Sequence, residues 1–150
     1  MIFTAKIEQT YAYPKRMKYI VETDSFIEKD CDSLSYVRGV RQPYGWIKES
    51  GTPPQPHLDV IVMTDDEYEL GDEVQVRIVG VFRRSDGDHK LVGVPESREV
   101  NDFAELTESE ISDMNRLYRK KREGDGWFGK ETAERIITDF FGKVNRTLLI

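Results

Sequence analysis

Residues 85–95, SDGDHKLVGVP, place Asp86, Asp88 and Lys90 at alternating positions and then run into an apolar segment. Alternate residues of an extended chain point to one side. Two carboxylates and an ammonium are therefore expected to share a face beside Val92 and Val94. Charges carried into a fold in this way must meet one another, a metal ion or a charged ligand. A polar turn with a solvated ion pair is the alternative reading of the same residues. Asp59 raises the question again, because it sits in HLDVIVM (57–63) among Leu58, Val60, Ile61 and Val62. His57 and His89 lie beside these acidic positions, but two histidines without a defined carboxylate geometry do not make a metal site. Cys31 has no activating neighbour in the sequence and reads as a non-catalytic thiol.

The elements that must position these groups are legible from periodicity. RMKYIVE (16–22) alternates Met17, Tyr19 and Val21 against Lys18, Ile20 and Glu22 and predicts a strand. KESGTPPQP (48–56) is a loop, since Pro53, Pro54 and Pro56 deny it helix or central-strand pairing. HLDVIVM, VQVRIVGVF (74–82) and KLVGV (90–94) predict three further strands, and TDDEYELGDE (64–73) connects the first two. TESEISDMNRLYRKKRE (107–123) opens with a capping box, Thr107 and Glu110, and places Ile111, Met114, Leu117 and Tyr118 on one helix face. KETAERIITDFFGKV (130–144) gathers Ala133, Ile136, Ile137, Phe140 and Phe141 on another, with Gly142 as its expected stop. Strands followed by two amphipathic helices predict an α+β fold, and closing the short strands into a barrel would remove exposed edges.

With 150 residues the chain suits one domain spanning 1–150. The formal net charge of -6 disfavours a general nucleic-acid binder. A nucleic-acid surface would need Tyr11, Tyr13 and Tyr36 to line a positive groove. No apolar run approaches the ~20 residues of a membrane span, and the N-terminal residues lack the apolar core of a signal peptide. One cysteine excludes an intrachain disulfide, and a cytoplasmic protein is the simplest expectation. The basic run Arg116, Arg119, Lys120, Lys121 and Arg122 reads as a solvated helix end or as a phosphate attractant. Trp127, Phe128, Phe140 and Phe141 exceed what one short helix must bury, which suggests a homo-oligomer contact; closure of the monomer core is the alternative.

Five stretches in order, YGWI, LDVIVMTDDEYELGDEVQVRIVGVF, DHKLVGVP, VNDFAEL and LYRK, resemble the soluble family I inorganic pyrophosphatases. A fainter trace lies in MKYIVE. The resemblance implies an α+β fold: a small oligonucleotide-binding-like β-barrel with two C-terminal helices packed outside. It implies Asp59, Asp88 and Lys90 as catalytic residues, and Asp59, Asp86 and Asp88 as ligands of Mg²⁺. It implies Lys18, Tyr44, Tyr118 and Arg119 as substrate-binding residues, with Glu8 a looser match to an N-terminal carboxylate. The implied activity is Mg²⁺-dependent hydrolysis of inorganic pyrophosphate, or of another phosphoanhydride, to orthophosphate. Carboxylate-held Mg²⁺ can polarise phosphoryl oxygens and activate water, while cationic side chains hold the phosphates.

The chain also departs from the family pattern. Pro54-Gln55-Pro56 stands where the family has the first two aspartates of its D-G-D-P-x-D signature. Ile20 replaces a glutamate, and Arg119 replaces a lysine, keeping phosphate recognition but not its geometry. Altered or weakened activity is the expectation, and an anion-binding or protein-interaction module that has lost catalysis is the alternative.

Overall fold

The computed structural model describes residues 1–148, with side chains described through residue 144. Its strands are β1 (Ile2–Gln9), β2 (Lys15–Ile20), β3 (Ser25–Asp32), β4 (Tyr44–Ile47), β5 (Asp59–Val62), β6 (Glu73–Arg83), β7 (Lys90–Pro95) and β8 (Gly126–Gly129). Its helices are α1 (Leu34–Val37), α2 (Glu108–Leu117) and α3 (Lys130–Leu148). β1 pairs with β4 on one side and with β6 on the other, so β1-β4-β5-β7-β6 close into a barrel. β8 extends β6 outside the closed ring, and β2 and β3 form a separate antiparallel hairpin. The fold is α+β with α2 and α3 outside the barrel, as the sequence predicts.

Period-two alternation divides the apolar residues into two clusters. One draws on all the barrel strands, including Ala5, Ile7, Ile47, Val60, Val62, Val76, Ile78 and Leu91, and is joined by Ala133 and Ile137 of α3. The other unites Ile61, Met63, Val79, Val92 and Val94 with Met114 and Leu117 of α2. Gly45 is required at the seam, because a Cβ there would lie 1.9 Å from the Lys6 carbonyl oxygen.

The parallel pairing of β5 with β7 sets the register that matters most. It places Asp59 directly opposite Lys90 and Val60 opposite Leu91. Parallel neighbours in register present side chains to the same face. Two residues distant in sequence thereby become partners at the mouth of the barrel.

Several local expectations are corrected. α3 continues through Gly142 to Leu148; nothing lies within 4 Å of a Cβ at Gly142, so no packing demand stops the helix there. α2 ends at Leu117, and Tyr118 is an extended C-cap, so Arg119 to Arg122 follow the helix rather than belong to it. Glu22 lies in a 3-10 turn, not on the strand of Lys18. Three of the four surplus aromatics are engaged within the chain. Trp127 packs among Phe82, Phe103 and Tyr118, Phe141 against Phe3 and Phe140; Phe128 alone of the four is exposed. Tyr11 stacks on Tyr36, but the acidic residues Asp65, Asp66 and Glu67 line the adjacent depression, which is not a positive groove.

Candidate active site

Lys90 opens β7 and is 8% exposed. An ammonium has three N–H donors and no acceptor. Here they reach Asp59 Oδ2 at 2.8 Å, Asp88 Oδ1 at 3.0 Å and the Tyr44 hydroxyl at 3.1 Å. Asp59 is held by strand register, Tyr44 by β4 beside it, and Asp88 by the turn that leads into β7. Burial pulls the Lys90 pKa down, but the Asp59 and Asp88 carboxylates outweigh it and hold the ammonium above its ordinary value.

The charges continue on both sides of this centre. His57 Nε2 lies 3.1 Å from Asp59 Oδ1, and His57 Nδ1 lies 2.8 Å from the Gln55 carbonyl oxygen. Both ring nitrogens face acceptors, an arrangement that favours the doubly protonated imidazolium over the neutral ring. The Asp59 hydrogen bond accordingly raises the His57 pKa. Burial pushes the Asp59 carboxyl up, but His57 and Lys90 together hold it below the usual range. On the far side, Arg84 donates from NH1 to Asp88 Oδ2 at 3.2 Å. The result is a row of alternating charge: His57, Asp59, Lys90, Asp88, Arg84.

Around this row lies a cleft with two adjoining lobes of about 450 and 330 Å³. Both lobes are lined by Glu8, Arg16, Tyr44, Asp88 and Lys90. Lys18, Lys29, Pro54, His57 and Asp59 belong to the first; Arg84, Tyr118 and Ser33 belong to the second. Glu8, carried by β1, is pushed up to about 7, by burial first and then by the nearby Asp59 charge. Burial likewise raises the Tyr44 and Tyr118 hydroxyls, so both stay protonated donors at neutral pH.

The structure thus brings together Asp59, Asp88, Lys90, Tyr44, Tyr118 and Lys18 around one cleft. Asp86 and Arg119 are not among the residues lining either lobe. The segment 84–89 is a turn and not an extended strand, so the alternation ends before Asp86. Its carboxylate instead accepts from the Asp88 backbone N–H at 2.9 Å. Arg119 is exposed, because α2 ends two residues earlier and the chain leaves the cleft. Sequence reasoning missed Arg84 and Arg16. Nothing in a basic residue after a strand announces that it will face the same cleft as Lys90; that follows from Tyr118 reaching it from far along the chain. Glu8 was legible only as a loose match, and its partner Asp59 is the reason for its altered acidity beyond burial.

The donor set is chemically suited to a hard divalent cation: carboxylate oxygens on Asp59, Asp88 and Glu8 face the cleft, and two of them already share the positive charge of Lys90. Among the described residues, however, no group of three or more Asp, Glu, His or Cys converges to hold an ion unaided. Pro54 and Pro56 contribute no side-chain oxygen. The residues therefore fit an ion whose shell is completed by a ligand, since Mg²⁺ is commonly held by one or two carboxylates together with phosphate oxygens and water.

Known proteins resemble this chain in sequence and in fold. The sequence model of the family described as inorganic pyrophosphatase matches residues 12–145. An inorganic pyrophosphatase of Streptomyces coelicolor is 28% identical over 106 residues, covering 61% of this chain. That alignment spans 65% of the Streptomyces protein, just under two thirds of its length. One from Nanoarchaeum equitans is 28% identical over 111 residues, 63% of this chain and 69% of its own. The crystal structure of an inorganic pyrophosphatase from Neisseria gonorrhoeae superposes with a TM-score of 0.75 at 19% identity, covering 96% of this chain and 91% of that one. The structure from Thermus thermophilus gives 0.71 at 16% identity, with 95% and 90% covered. At these identities the superpositions speak for the fold.

Proposed function

This chain belongs to the inorganic pyrophosphatase family, and from that membership together with its cleft we infer that it hydrolyses inorganic pyrophosphate to two orthophosphates with a divalent cation, Mg²⁺. The observation that carries the reading is the Lys90 ammonium, held between Asp59 and Asp88 at the edge of a cleft that also presents Arg84, Arg16 and Lys18. Pyrophosphate is densely anionic, and cationic side chains around a carboxylate pair suit an anion that arrives with a metal ion.

Asp59 and Asp88, with Glu8 beside them, would hold the cation. When bound, it supplies Lewis-acid polarisation of phosphoryl oxygens and a water of lowered pKa. The side chains of the protein do the rest. Asp59 is kept ionised by His57 and Lys90, ready to accept a cation without first losing a proton. Of the three acceptors on Lys90, the Tyr44 hydroxyl is the only neutral one, so it is the contact most easily exchanged for a phosphoryl oxygen. Lys90 then donates to the anion while both carboxylates keep it in place. Tyr44, released, and Tyr118 can donate hydroxyl hydrogen bonds to the departing phosphate. Water attacks one phosphorus, the bridging P–O bond breaks, and its electron pair leaves with the second phosphate. In the metal-free cleft Glu8, with a pKa of about 7, still exchanges a proton near neutrality; a bound cation would draw that pKa down and favour its carboxylate. The absence of carboxylates at Pro54 and Pro56 removes two oxygen-bearing side chains from the site and points to weakened turnover.

We place the protein in the cytoplasm, in keeping with its single cysteine, and read it as a homo-oligomer by analogy with its family. Among the described residues no helix is long and apolar enough to cross a membrane. Phosphate release from pyrophosphate with and without Mg²⁺ tests the activity. Asp88→Asn should lower Mg²⁺-dependent release by about 100-fold or more, the loss typical of removing one transition-state-stabilising group, while the circular dichroism spectrum is unchanged. Release unaffected by Mg²⁺ or by this variant would refute the assignment.

A further inference from the structure

Lys90 cannot be the whole of the anion site, because all three of its N–H donors are engaged by protein acceptors. Arg119, the cation expected from the sequence to hold phosphate, is not among the residues lining the cleft. Arg84 is, and its setting is unlike that of a surface arginine. Its guanidinium carbon lies 4.8 Å from the centroid of the Tyr118 ring and 5.5 Å from that of buried Phe82. Its side chain is 27% exposed. NH1 donates to Asp88 Oδ2, which in turn is tied to Lys90 through Oδ1. The Arg84 backbone is fixed as well, since its N–H donates to His89 Nδ1 at 3.0 Å.

A guanidinium carries five N–H donors in a planar fork, and a single one of them has a short partner among the described residues, with a weaker ring contact on the face. The stacked ring and the Asp88 contact orient the plane and lower the entropy lost when further hydrogen bonds form. Arg84 itself lines the second lobe, together with Lys90 and Arg16. A phosphoryl group is the ligand chemistry that such a fork matches, two N–H groups to two oxygens.

We propose that Arg84 is a substrate-binding residue of this cleft, gripping one phosphoryl group of pyrophosphate in the second lobe, in the role that the sequence suggested for Arg119. This rests on the pyrophosphatase reading above and adds the residue and the lobe that hold the second phosphate. It also explains how an anion can be retained where Pro54 and Pro56 have removed metal-binding oxygens: part of its charge is met by the protein itself.

The test compares steady-state pyrophosphate hydrolysis by the wild type with Arg84→Gln, Arg84→Lys, Arg84→Met and Arg119→Gln, all in Mg²⁺. Loss of charge-assisted hydrogen bonds should raise KM for Arg84→Gln by roughly 10- to 100-fold, with kcat changed less. Arg84→Lys should recover part of the affinity, and Arg119→Gln should stay within about twofold, as for an exposed charge. Arg84→Met keeps the packing on Tyr118, so it separates lost charge from lost fold and carries the comparison if the glutamine variant is unstable. Pyrophosphate affinity by titration calorimetry is then compared in Asp88→Asn and Asp88→Asn/Arg84→Gln. Direct binding predicts a further loss in the double variant. Equal affinities there would mean that Arg84 only positions Asp88 and would overturn the proposal, as would a wild-type KM in both Arg84→Gln and Arg84→Met. If the wild type itself neither binds nor hydrolyses pyrophosphate, the functional reading fails first and this inference falls with it.

Discussion

Glu8 carries the clearest residue-scale consequence of the cleft. Its carboxyl is pushed up to about 7 by burial and by Asp59, against an ordinary value of 4.5. The native state therefore binds the Glu8 proton more tightly than the unfolded chain does. Stability from this group is fully present below pH ~4.5, falls as pH rises, and is lost above the folded pKa. Glu8→Gln removes the ionisable group and should flatten the stability profile between about pH 4.5 and 7. Above pH 7 it should stabilise the metal-free protein by up to ~3 kcal/mol, at about 1.36 kcal/mol for each pH unit separating the folded and unfolded values. Urea denaturation at a series of pH values measures this, and an unchanged slope in Glu8→Gln would contradict the assignment. Asp59 works in the opposite sense, since its depressed pKa contributes stability that is lost as pH falls through the acid range.

At the scale of elements, α2 positions one edge of the cleft from outside the barrel, through Tyr118 at its C-cap. The capping box of α2 is formed as the sequence predicts: the Thr107 hydroxyl accepts from the Glu110 N–H at 3.1 Å and Glu110 Oε1 accepts from the Thr107 N–H at 3.0 Å. Glu110 also accepts two hydrogen bonds from Arg98, at 2.6 and 2.7 Å, which tie α2 to the segment after β7. At its other end, Arg38 donates to the Leu117 carbonyl and Arg116 donates to the Arg38 carbonyl at 2.7 Å. This end fixes Tyr118, and hence the ring on which Arg84 lies. Thr107→Ala should destabilise the protein by about 1 kcal/mol. Gly142→Ala should stabilise it by roughly 0.5–1 kcal/mol, because alanine suits a helix interior and nothing lies within 4 Å of the added Cβ. Both are read from denaturant midpoints at constant m. A destabilising Gly142→Ala would mean that the helix does not continue there.

For the whole molecule, barrel closure ties the strands that line the cleft to one another. β1 carries Glu8 and pairs with both β4 and β6, so one strand links the Glu8 carboxylate, Tyr44 and the closing seam. The cleft should therefore respond to its ligand as part of a single cooperative unit. A non-hydrolysable methylene analogue of pyrophosphate with Mg²⁺, present at about 100 times its dissociation constant, should stabilise the wild type by about 2.7 kcal/mol. For a chain of this size that is a rise of roughly 5–10 °C in Tm. Differential scanning fluorimetry with the analogue, Mg²⁺ and both together reads it, and the combination should exceed the sum of the separate shifts, because metal and anion complete each other's coordination. Shifts that merely add would count against a shared site.

The alternation in HLDVIVM, VQVRIVGVF and KLVGV, the capping box at Thr107 and the apolar stripe from Ala133 to Phe141 determined β5, β6, β7, the two long helices and which faces they bury, whereas β1, β3 and β8 were not read from the sequence. These are local patterns, and period and capping act over a few residues. Asp59, Asp88, Lys90 and Tyr44 were also legible, because order and spacing along the chain carried their resemblance to a family. What only the tertiary structure decided is which of the remaining charges share the cleft. Arg84 enters because Tyr118 lies beneath its guanidinium, and Arg119 stays outside because α2 ends at Leu117. Asp86 turns back on its own backbone because the segment before β7 is a turn. Glu8 acquires its unusual acidity from burial and from Asp59, a residue on a different strand. Each of these depends on contacts between groups far apart in sequence, and side-chain charge acts through space, so no local pattern contains it.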